Sequence, residues 1–572
     1  MHFKYLLTGV LLTIMAQLYA QQPGQSKLDY KQLWKEVEAF QEKGLPESAL
    51  KIVDKIYAAA KSEKNSQQLV KSILYQLSLA ESYQEDVLNK NVERLRREIE
   101  SASFPVKPLL YSVLAETYWQ YYENNRYRFR DRTETVNLQN NDLSTWSLEQ
   151  LVDKTIESYL LSLENADKLK SVPIMQFEEV LIYGNKLGKD YRPTLYDFLA
   201  HRAVDLFMNN EPDIIKPAYS FSLNNADYFQ DAAAFVKLPI TTRDTFAYKY
   251  YALKLFQDLI QFHMRDQNPD ALVDVELKRL EFINQYSTLP DKRELYLKAL
   301  QSLDNKYKAY PISIMILLKI AQVWNEEAGL YNESQPNEHR MDKKKAYDIC
   351  EVAIKRFPES SGAKQAYNLQ QEIKMKNLEA SVEKVNVPGL PFRALVTYKN
   401  FTQLYWRVLP VTPEEIMRER ERWEKNYDVD QEQKLVEYLA SKTPIKKGNI
   451  TLPADSDFNQ HSVEVKIDEL SVGKYAILFS NNESFASKGN GIAYAFSTIS
   501  NIAYYHRNRD DGSSDLFVVD RISGEPAAGA KVQVFLKIYN EDKRKYELVK
   551  DSIYKADDDG FVKLPYVYNQ IK

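Results

Sequence analysis

The chain has 572 residues, enough for about three or four domains at ~150 residues each; 44% hydrophobic and 27% charged residues make a globular composition and exclude wholesale disorder. Lysine plus arginine number 76 against 80 aspartates and glutamates, a net charge of −4, which argues against binding nucleic acid through bulk positive charge. The single cysteine, Cys350, excludes an internal disulfide framework and any multi-cysteine zinc site.

Residues 1–20 read as a secretory signal peptide. Lys4 is the one charge near the start, Tyr5–Leu18 carries none, and Tyr19-Ala20 ends the stretch before Gln21. The apolar run is short of the ~20 residues a bilayer-spanning helix needs. No cysteine lies near the cleavage site, so a bacterial lipoprotein-type anchor is not expected. No second long apolar segment follows, so the mature chain is expected to be exported, to the periplasm, the cell envelope or the medium, without a transmembrane segment.

Glycine then divides the chain: residues 1–380 hold seven and residues 381–572 hold nine. Helices are expected first and strands later. Leu33, Val37 and Phe40 recur at i, i+4, i+7, and Ala49, Ile52, Val53, Ile56, Tyr57 and Ala60 form a second helical stripe. Between them, Gly44 suits the left-handed residue that ends a helix and Pro46 suits the first turn of the next. Further stripes run through Leu109, Leu110, Val113, Leu114, Thr117, Tyr118 and Tyr121, and through Leu195, Phe198, Leu199, Val204, Leu206 and Phe207. Ala346, Cys350, Ala353, Ile354 and Phe357-Pro358 lead into Ala363, Ala366 and Leu369; Ala353–Pro358 resembles the close of a tetratricopeptide hairpin. No strict 34-residue period fits residues 28–375. Residues 28–380 are therefore expected to form an irregular, tetratricopeptide-like array of helical hairpins with a concave face.

From about Val385 the period becomes 2. Leu404, Trp406 and Val408 alternate with polar neighbours, as do Val463, Val465 and Ile467; Tyr475, Ile477 and Phe479 follow a turn at Ser471–Lys474; Val532, Val534 and Leu536 come later. These are expected to be half-buried antiparallel strands of β-sandwich type. Thr412-Pro413-Glu414-Glu415 is a capping box opening a helix over 413–440, with a break near Asn426. Its run Arg418–Arg422 is read as a solvated face. Asn386-Val387-Pro388-Gly389 is the expected junction between separately packed α and β halves.

Candidate chemistry is sparse. The histidines, His2, His201, His263, His339, His461 and His506, include no pair within five residues, so no His-x-x-x-His metal motif exists. His201 is read as a helix-surface or capping residue. Cys350 is read as a small half-buried hydrophobe, since no histidine or basic cluster adjoins it in sequence. Gly489-Asn490-Gly491 lacks the third glycine of a dinucleotide loop, and neither a nucleophile elbow nor a phosphate loop occurs. Asp557-Asp558-Asp559-Gly560 does not space its acids as a calcium loop does; it and Arg509-Asp510-Asp511-Gly512 are read as hairpin turns. Arg126–Arg132 interleaves arginine with Tyr127 and Phe129 as single-strand binders do, but packed aromatics with arginines reaching water are the preferred reading. No catalytic, cofactor-binding or metal-ligating residue is nominated, no cofactor is expected, and the chain is not expected to be an enzyme.

The stretch Asp515–Val534, with its Asp520-Arg521-Ile522-Ser523-Gly524-Glu525-Pro526 bend and Gly529-Ala530 re-entry into a Val532-Gln533-Val534 strand, resembles the second macroglobulin-type domain of the alpha-2-macroglobulin family. Gly44–Leu50, Ala115–Tyr122 and Arg192–Ala200 resemble the helical preface of a bacterial branch of it. The resemblance implies a first macroglobulin-type, Ig-like domain at 385–485 with the helix 413–440 inserted, and a second at 490–572 that is incomplete. It implies exported proteins that bind and trap proteases (endopeptidase inhibitors), some through a Cys-x-x-Gln thioester. Cys350 is followed by Glu351-Val352-Ala353 and matches no thioester. The chain is accordingly expected to be a non-enzymatic scaffold and docking portion of a longer protein, with proteins and its own downstream domains as partners. The rival expectation is a helical-repeat plus Ig-like envelope adhesion scaffold unrelated to proteases.

Export with cleavage after Ala20 predicts Gln21 at or within a few residues of the mature N-terminus. Intact mass measurement of the exported protein checks this, and a mature chain that retains Met1 refutes it.

Overall fold

The structure, a computed structural model, describes residues 28–566 apart from 82–86, 130–141, 182–187, 210–218, 336, 424–429 and 542–543. The signal segment, Arg130–Arg132 and the expected helix break near Asn426 lie outside the described residues. The chain divides at Ile316/Leu317 into two compact units.

The first unit is helical. Tyr30–Glu42 starts on Asp29, whose carboxylate accepts the N–H of Gln32 at 3.1 Å. Gly44, at φ +67°, lets the chain turn out of it, and Pro46 opens Pro46–Ser62. The expected stripes hold the buried residues: Val37, Ala49, Val53 and Ile56 pack with Trp34, and Ala60 is buried too. Ser66–Glu81, Val87–Ser101, Val106–Phe129, Leu148–Ser162 and Leu195–Phe207 follow, then Tyr248–His263, Asp270–Tyr286 and Lys292–Tyr307. Capping boxes, Ser147 with Gln150 and Thr194 with Asp197, start two of them. Tyr118, Tyr121, Tyr122 and Phe129 are buried, while Arg126 pairs with Glu123 at 2.6 Å in solvent and Tyr127 stays exposed. Of the two aromatics in the interleaved stretch, Phe129 packs inside and Tyr127 does not.

In the second unit, Asp342–Arg356 and Ser361–Lys374 form a hairpin. Ala346, Cys350 and Ala353 on the first helix and Ala363 and Ala366 on the second are buried; these small side chains let the helices approach closely. Strand structure begins at once after it. β1 (Asn377–Val382) pairs antiparallel with β3 (Phe392–Lys399), earlier than the period change at Val385 indicates. β2 (Val385–Asn386) runs parallel to β8 (Ile492–Ile499), and Asn386 Nδ2 donates to Ser497 Oγ at 2.9 Å. Asn386, the first residue of the 386–389 stretch, is therefore tied into a sheet. The compact units part at 316/317 instead, and the hairpin 342–374 belongs with the strands.

β1, β3 and β6 (His461–Ile467) make a three-stranded sheet in the order β1-β3-β6. β4 (Gln403–Pro410), β5 (Lys446–Thr451) and β7 (Gly473–Ser480) join β2 and β8 in the order β2-β8-β7-β4-β5. The two sheets share a core that includes Val396, Trp406, Val465, Ile477 and Phe479. Both β1 and β8, outside the expected 385–485 span, contribute Leu378 and Ile499 to it. The expected helical insertion is present as two helices, Pro413–Trp423 and Gln431–Ser441. Leu435 and Leu439 cover Ala476 and Leu478 on the other face of the five-stranded sheet. The Thr412 capping box forms as expected: Thr412 Oγ1 accepts from the Glu415 N–H at 3.2 Å and Glu415 accepts from the Thr412 N–H. Beyond these lie β9 (Ile502–Asn508), β10 (Ser514–Asp520), β11 (Lys531–Asn540), β12 (Lys545–Lys555) and β13 (Phe561–Leu564). They form a sheet in the order β13-β10-β9 and a separate β11–β12 hairpin around a small core of Leu516, Val518, Ala556 and Val562.

Trp406 sits opposite Gly448 in the β4–β5 register, and a Cβ at Gly448 would lie 2.6 Å from its indole ring. Gly448→Ala is expected to cost about 1–3 kcal/mol through this overpacking. Gly329→Ala, at a position with open space around it, is expected to leave the melting temperature level or slightly higher. Thermal melts of the two variants check the contrast; equal melting temperatures would refute it.

Candidate functional site

A polar cluster of the second unit lies in the loop that leads into β6. Asp455, Asp457 and His461 bring one ligand atom each to within 4.8 Å of one another. Arg340, just before the hairpin 342–374, binds both acids: Nε donates to Asp457 Oδ2 and Nη2 to Asp455 Oδ1, each at 2.9 Å. Asp457, 2% exposed, also accepts the Asn459 N–H at 3.0 Å and faces His461 Nε2 at 3.0 Å through Oδ1. Asn459 Nδ2 donates to the Arg340 carbonyl at 2.8 Å. Phe458, at φ +60°, stacks its ring on Tyr347 with centroids 4.7 Å apart. Burial pushes the Asp457 carboxyl up, but the hydrogen bonds from Asn459, His461 and Arg340 outweigh it and hold the group below the usual carboxylate range. Beside the cluster is a cavity of about 500 Å³ whose lining includes Lys374, Lys376, Tyr398, Asn400, Asp455 and His461.

Two carboxylates and an imidazole are a donor set for a divalent cation. Here Arg340 occupies an oxygen of each carboxylate, and the imidazole nitrogen nearest the acids is aimed at Asp457. A dication would stand against a guanidinium. The arrangement fits an ion-pair clasp between the hairpin's lead-in and the β6 loop better than a metal centre.

The first unit holds a second buried knot. Thr194 presents Asp197 in the first turn of Leu195–Phe207, and Tyr248–His263 ends on His263. His263 Nε2 lies 2.8 Å from Asp197 Oδ1 and Nδ1 lies 2.7 Å from Asp266 Oδ2. Only the doubly protonated ring donates to both. Burial lowers the His263 pKa, but the bonds to Asp197 and Asp266 overcome it and raise the value above its ordinary one. His201, one turn further along the helix that carries Asp197, behaves oppositely. It is 0% exposed; burial, then Lys278, Arg192 and His263, holds it well below the ordinary histidine value. Lys278 Nζ lies 3.4 Å from His201 Nδ1 and also pairs with Asp205. Asp274, pushed up by burial, and Arg192 complete the surrounding charge.

The sequence reading of His201 as a surface or capping residue is thus corrected: it is a buried ring, 3.4 Å from Lys278. Cys350 is fully buried, and burial pushes its thiol up to about 11, the opposite of an activated nucleophile. Asp557–Gly560 is a turn, though not the expected hairpin turn, since it joins β12 to β13 in a different sheet; Asp557 Oδ1 accepts the N–H groups of Asp559 and Phe561, and Gly560 has φ +71°. Gly512, at φ +79°, turns Arg509–Gly512, and Gly489–Gly491 lies in the loop between β7 and β8. The Asp455–Asp457–His461 cluster was not nominated from sequence. Its local signal, Asp-x-Asp-x-x-x-His at a strand start, lacks the spacing of familiar metal motifs, and Arg340 is remote in sequence.

No protein-family model matches the chain, and none of the curated proteins compared with it is similar. No helix among the described residues is long and apolar enough to cross a membrane.

The two knots predict opposite limbs of a stability–pH profile. His263, raised in the folded state, contributes fully below its unfolded value of roughly 6.5, and that contribution is lost as pH rises through the folded value. Asp457, depressed, contributes above its unfolded value of roughly 4, and that is lost as pH falls through the folded value. Melting temperatures measured from acid to alkaline pH are expected to show a shallower alkaline limb for His263→Gln and a shallower acid limb for Asp457→Asn. Profiles parallel to that of the unmodified chain would refute both assignments.

Proposed function

We propose that this chain is the non-enzymatic, exported scaffold and docking portion of an alpha-2-macroglobulin-like protease-trapping protein, with a tetratricopeptide-like helical array before two macroglobulin-type, Ig-like sandwich domains. The observation that carries the reading is the Asp515–Val534 stretch. Asp520 Oδ1 accepts the N–H groups of Ile522 and Ser523, Gly524 and Gly529 adopt φ of +76° and +73°, and Val519 bridges Pro526 before β11 begins. The motif that carries the family resemblance is therefore a bend whose glycines other residues would strain. The order of the elements, helices before strands, is in keeping with it. The buried, unactivated Cys350 supports non-covalent contact over covalent capture. The partners in this reading are proteases and further domains of a longer chain.

Incubation of the chain with a panel of proteases is expected to give complexes on native gels and no adduct that survives denaturation. Cys350→Ala is expected to change neither result. A denaturation-resistant adduct that vanishes in Cys350→Ala overturns the non-covalent mechanism, and no complex with any protease on native gels counts against the trapping role.

A further inference from the structure

The sheet β13-β10-β9 ends on an open edge. Arg521 N–H donates to the Asn501 carbonyl at 2.7 Å and Arg509 N–H to the Ser513 carbonyl at 2.8 Å. With the register that sets Tyr505 against Phe517 and Arg507 against Asp515, these bonds fix which residues of β9 face β10. Ala503, Tyr505 and Arg507 exchange hydrogen bonds with it, so Tyr504, His506 and Asn508 turn N–H and C=O outward. Among the described residues no other strand pairs with β9, and Tyr504 to Asn508 are all exposed. Such an edge can receive one more extended chain.

Two rows of side chains, on the sheet face away from the small core, define what that chain must carry. Phe561, Phe517 and Tyr505 form the first. Tyr505 stacks on Phe517 with centroids 4.9 Å apart and planes 11° apart, and Phe517 lies 5.2 Å from Phe561. The row stops at Tyr505, 58% exposed. Lys563, Asp515 and Arg507 form the second row and alternate in sign. Asp515, 1% exposed, accepts from Arg507 Nη2 at 3.2 Å and from Arg509 Nε at 2.8 Å. One carboxylate thus serves two guanidiniums, while Asp511 acts on Lys563 and Arg509. Arg507, its side chain 73% exposed, has room for a further acid. In an added antiparallel strand, the residues opposite Tyr505 and Arg507 make non-hydrogen-bonded pairs, where Cα atoms approach to about 4.5 Å. An aromatic opposite Tyr505 extends the ring row, and an acid opposite Arg507 extends the charge row. The antiparallel direction puts the acid first and the aromatic two residues later. β9 itself contains no acid, so a second copy laid on this edge leaves Arg507 unmatched.

We propose that the outer edge of β9 binds an extended antiparallel segment of a partner protein with the pattern acid-x-aromatic. The assignment is independent of the protease-trapping reading. A blocked peptide, Thr-Lys-Thr-Glu-Thr-Phe-Thr-Lys-Thr, is the probe, in ligand-observed magnetic resonance titrations of the full chain. It is expected to bind, and its Glu→Gln and Phe→Ala forms each to bind about twofold to fivefold more weakly. Tyr505→Ala, at an exposed ring, is expected to weaken the parent peptide similarly with the melting temperature retained. In that variant the Phe→Ala change in the peptide is expected to be nearly silent. N-methylation of the threonine between Glu and Phe, which faces the outward groups of His506, is expected to abolish binding. No signal at millimolar peptide, equal binding by the N-methylated form or by a Phe-x-Glu order, or a Tyr505→Ala chain that binds as the unmodified one does would each overturn the proposal. A dimer of the chain in sedimentation that His506→Pro dissociates would assign the edge to a second copy and overturn it too.

Discussion

Strand β7 is apolar on both faces, and much of the second unit depends on that double burial. Tyr475 to Ser480 are six consecutive buried residues. Tyr475, Ile477 and Phe479 face the core shared with the three-stranded sheet, while Ala476 and Leu478 lie under the helix Gln431–Ser441. A strand with only one apolar face could hold one of these layers. Because β7 sits between β8 and β4 in its sheet, its side chains organise three layers: sheet, sheet and helices. The Thr412 capping box starts the first covering helix directly after β4, so the cover is laid down by the chain segment next to the strand it protects.

Much of this architecture is legible in the sequence, because each signal is local. Gly44-Leu45-Pro46 punctuates two helices through the φ values that glycine and proline prefer, and Ala49, Val53, Ile56 and Ala60 mark the buried stripe by spacing alone. Trp406 and Val408, or Val465 and Ile467, announce strands by alternation. The misreadings have equally specific causes. β1 follows the hairpin 342–374 with no glycine or proline to announce it, so its start at Asn377 is hidden behind a helical pattern. The parallel pairing of β2 with β8 joins residues more than a hundred positions apart, and only tertiary packing makes Asn386, at the head of the expected junction, part of a sheet.

The polar clusters were beyond sequence reading for the same reason. Arg340 and Asp457 are 117 positions apart, and Asp197 and His263 are 66 apart. Periodicity reports which face of an element is buried; it does not report which distant element that face meets. His201 shows the limit within a single helix. Its position among Leu199, Ala200 and Ala203 is compatible with a buried face, but a histidine there is ordinarily assigned to the surface. The packing of Asp270–Tyr286 against this region, bringing Lys278 beside the ring, decides otherwise.

Cys350 has a consequence of a different kind. Its sulfur is the only thiol of the chain, and in the folded hairpin it is both sealed from solvent and held in the unreactive protonated form. Alkylating reagents and oxidants can reach it only when Asp342–Arg356 and Ser361–Lys374 come apart. The rate at which this sulfur takes up a label therefore measures the opening of one helical pair in the second unit, and it does so in the unaltered chain. The protein carries its own clock for local unfolding.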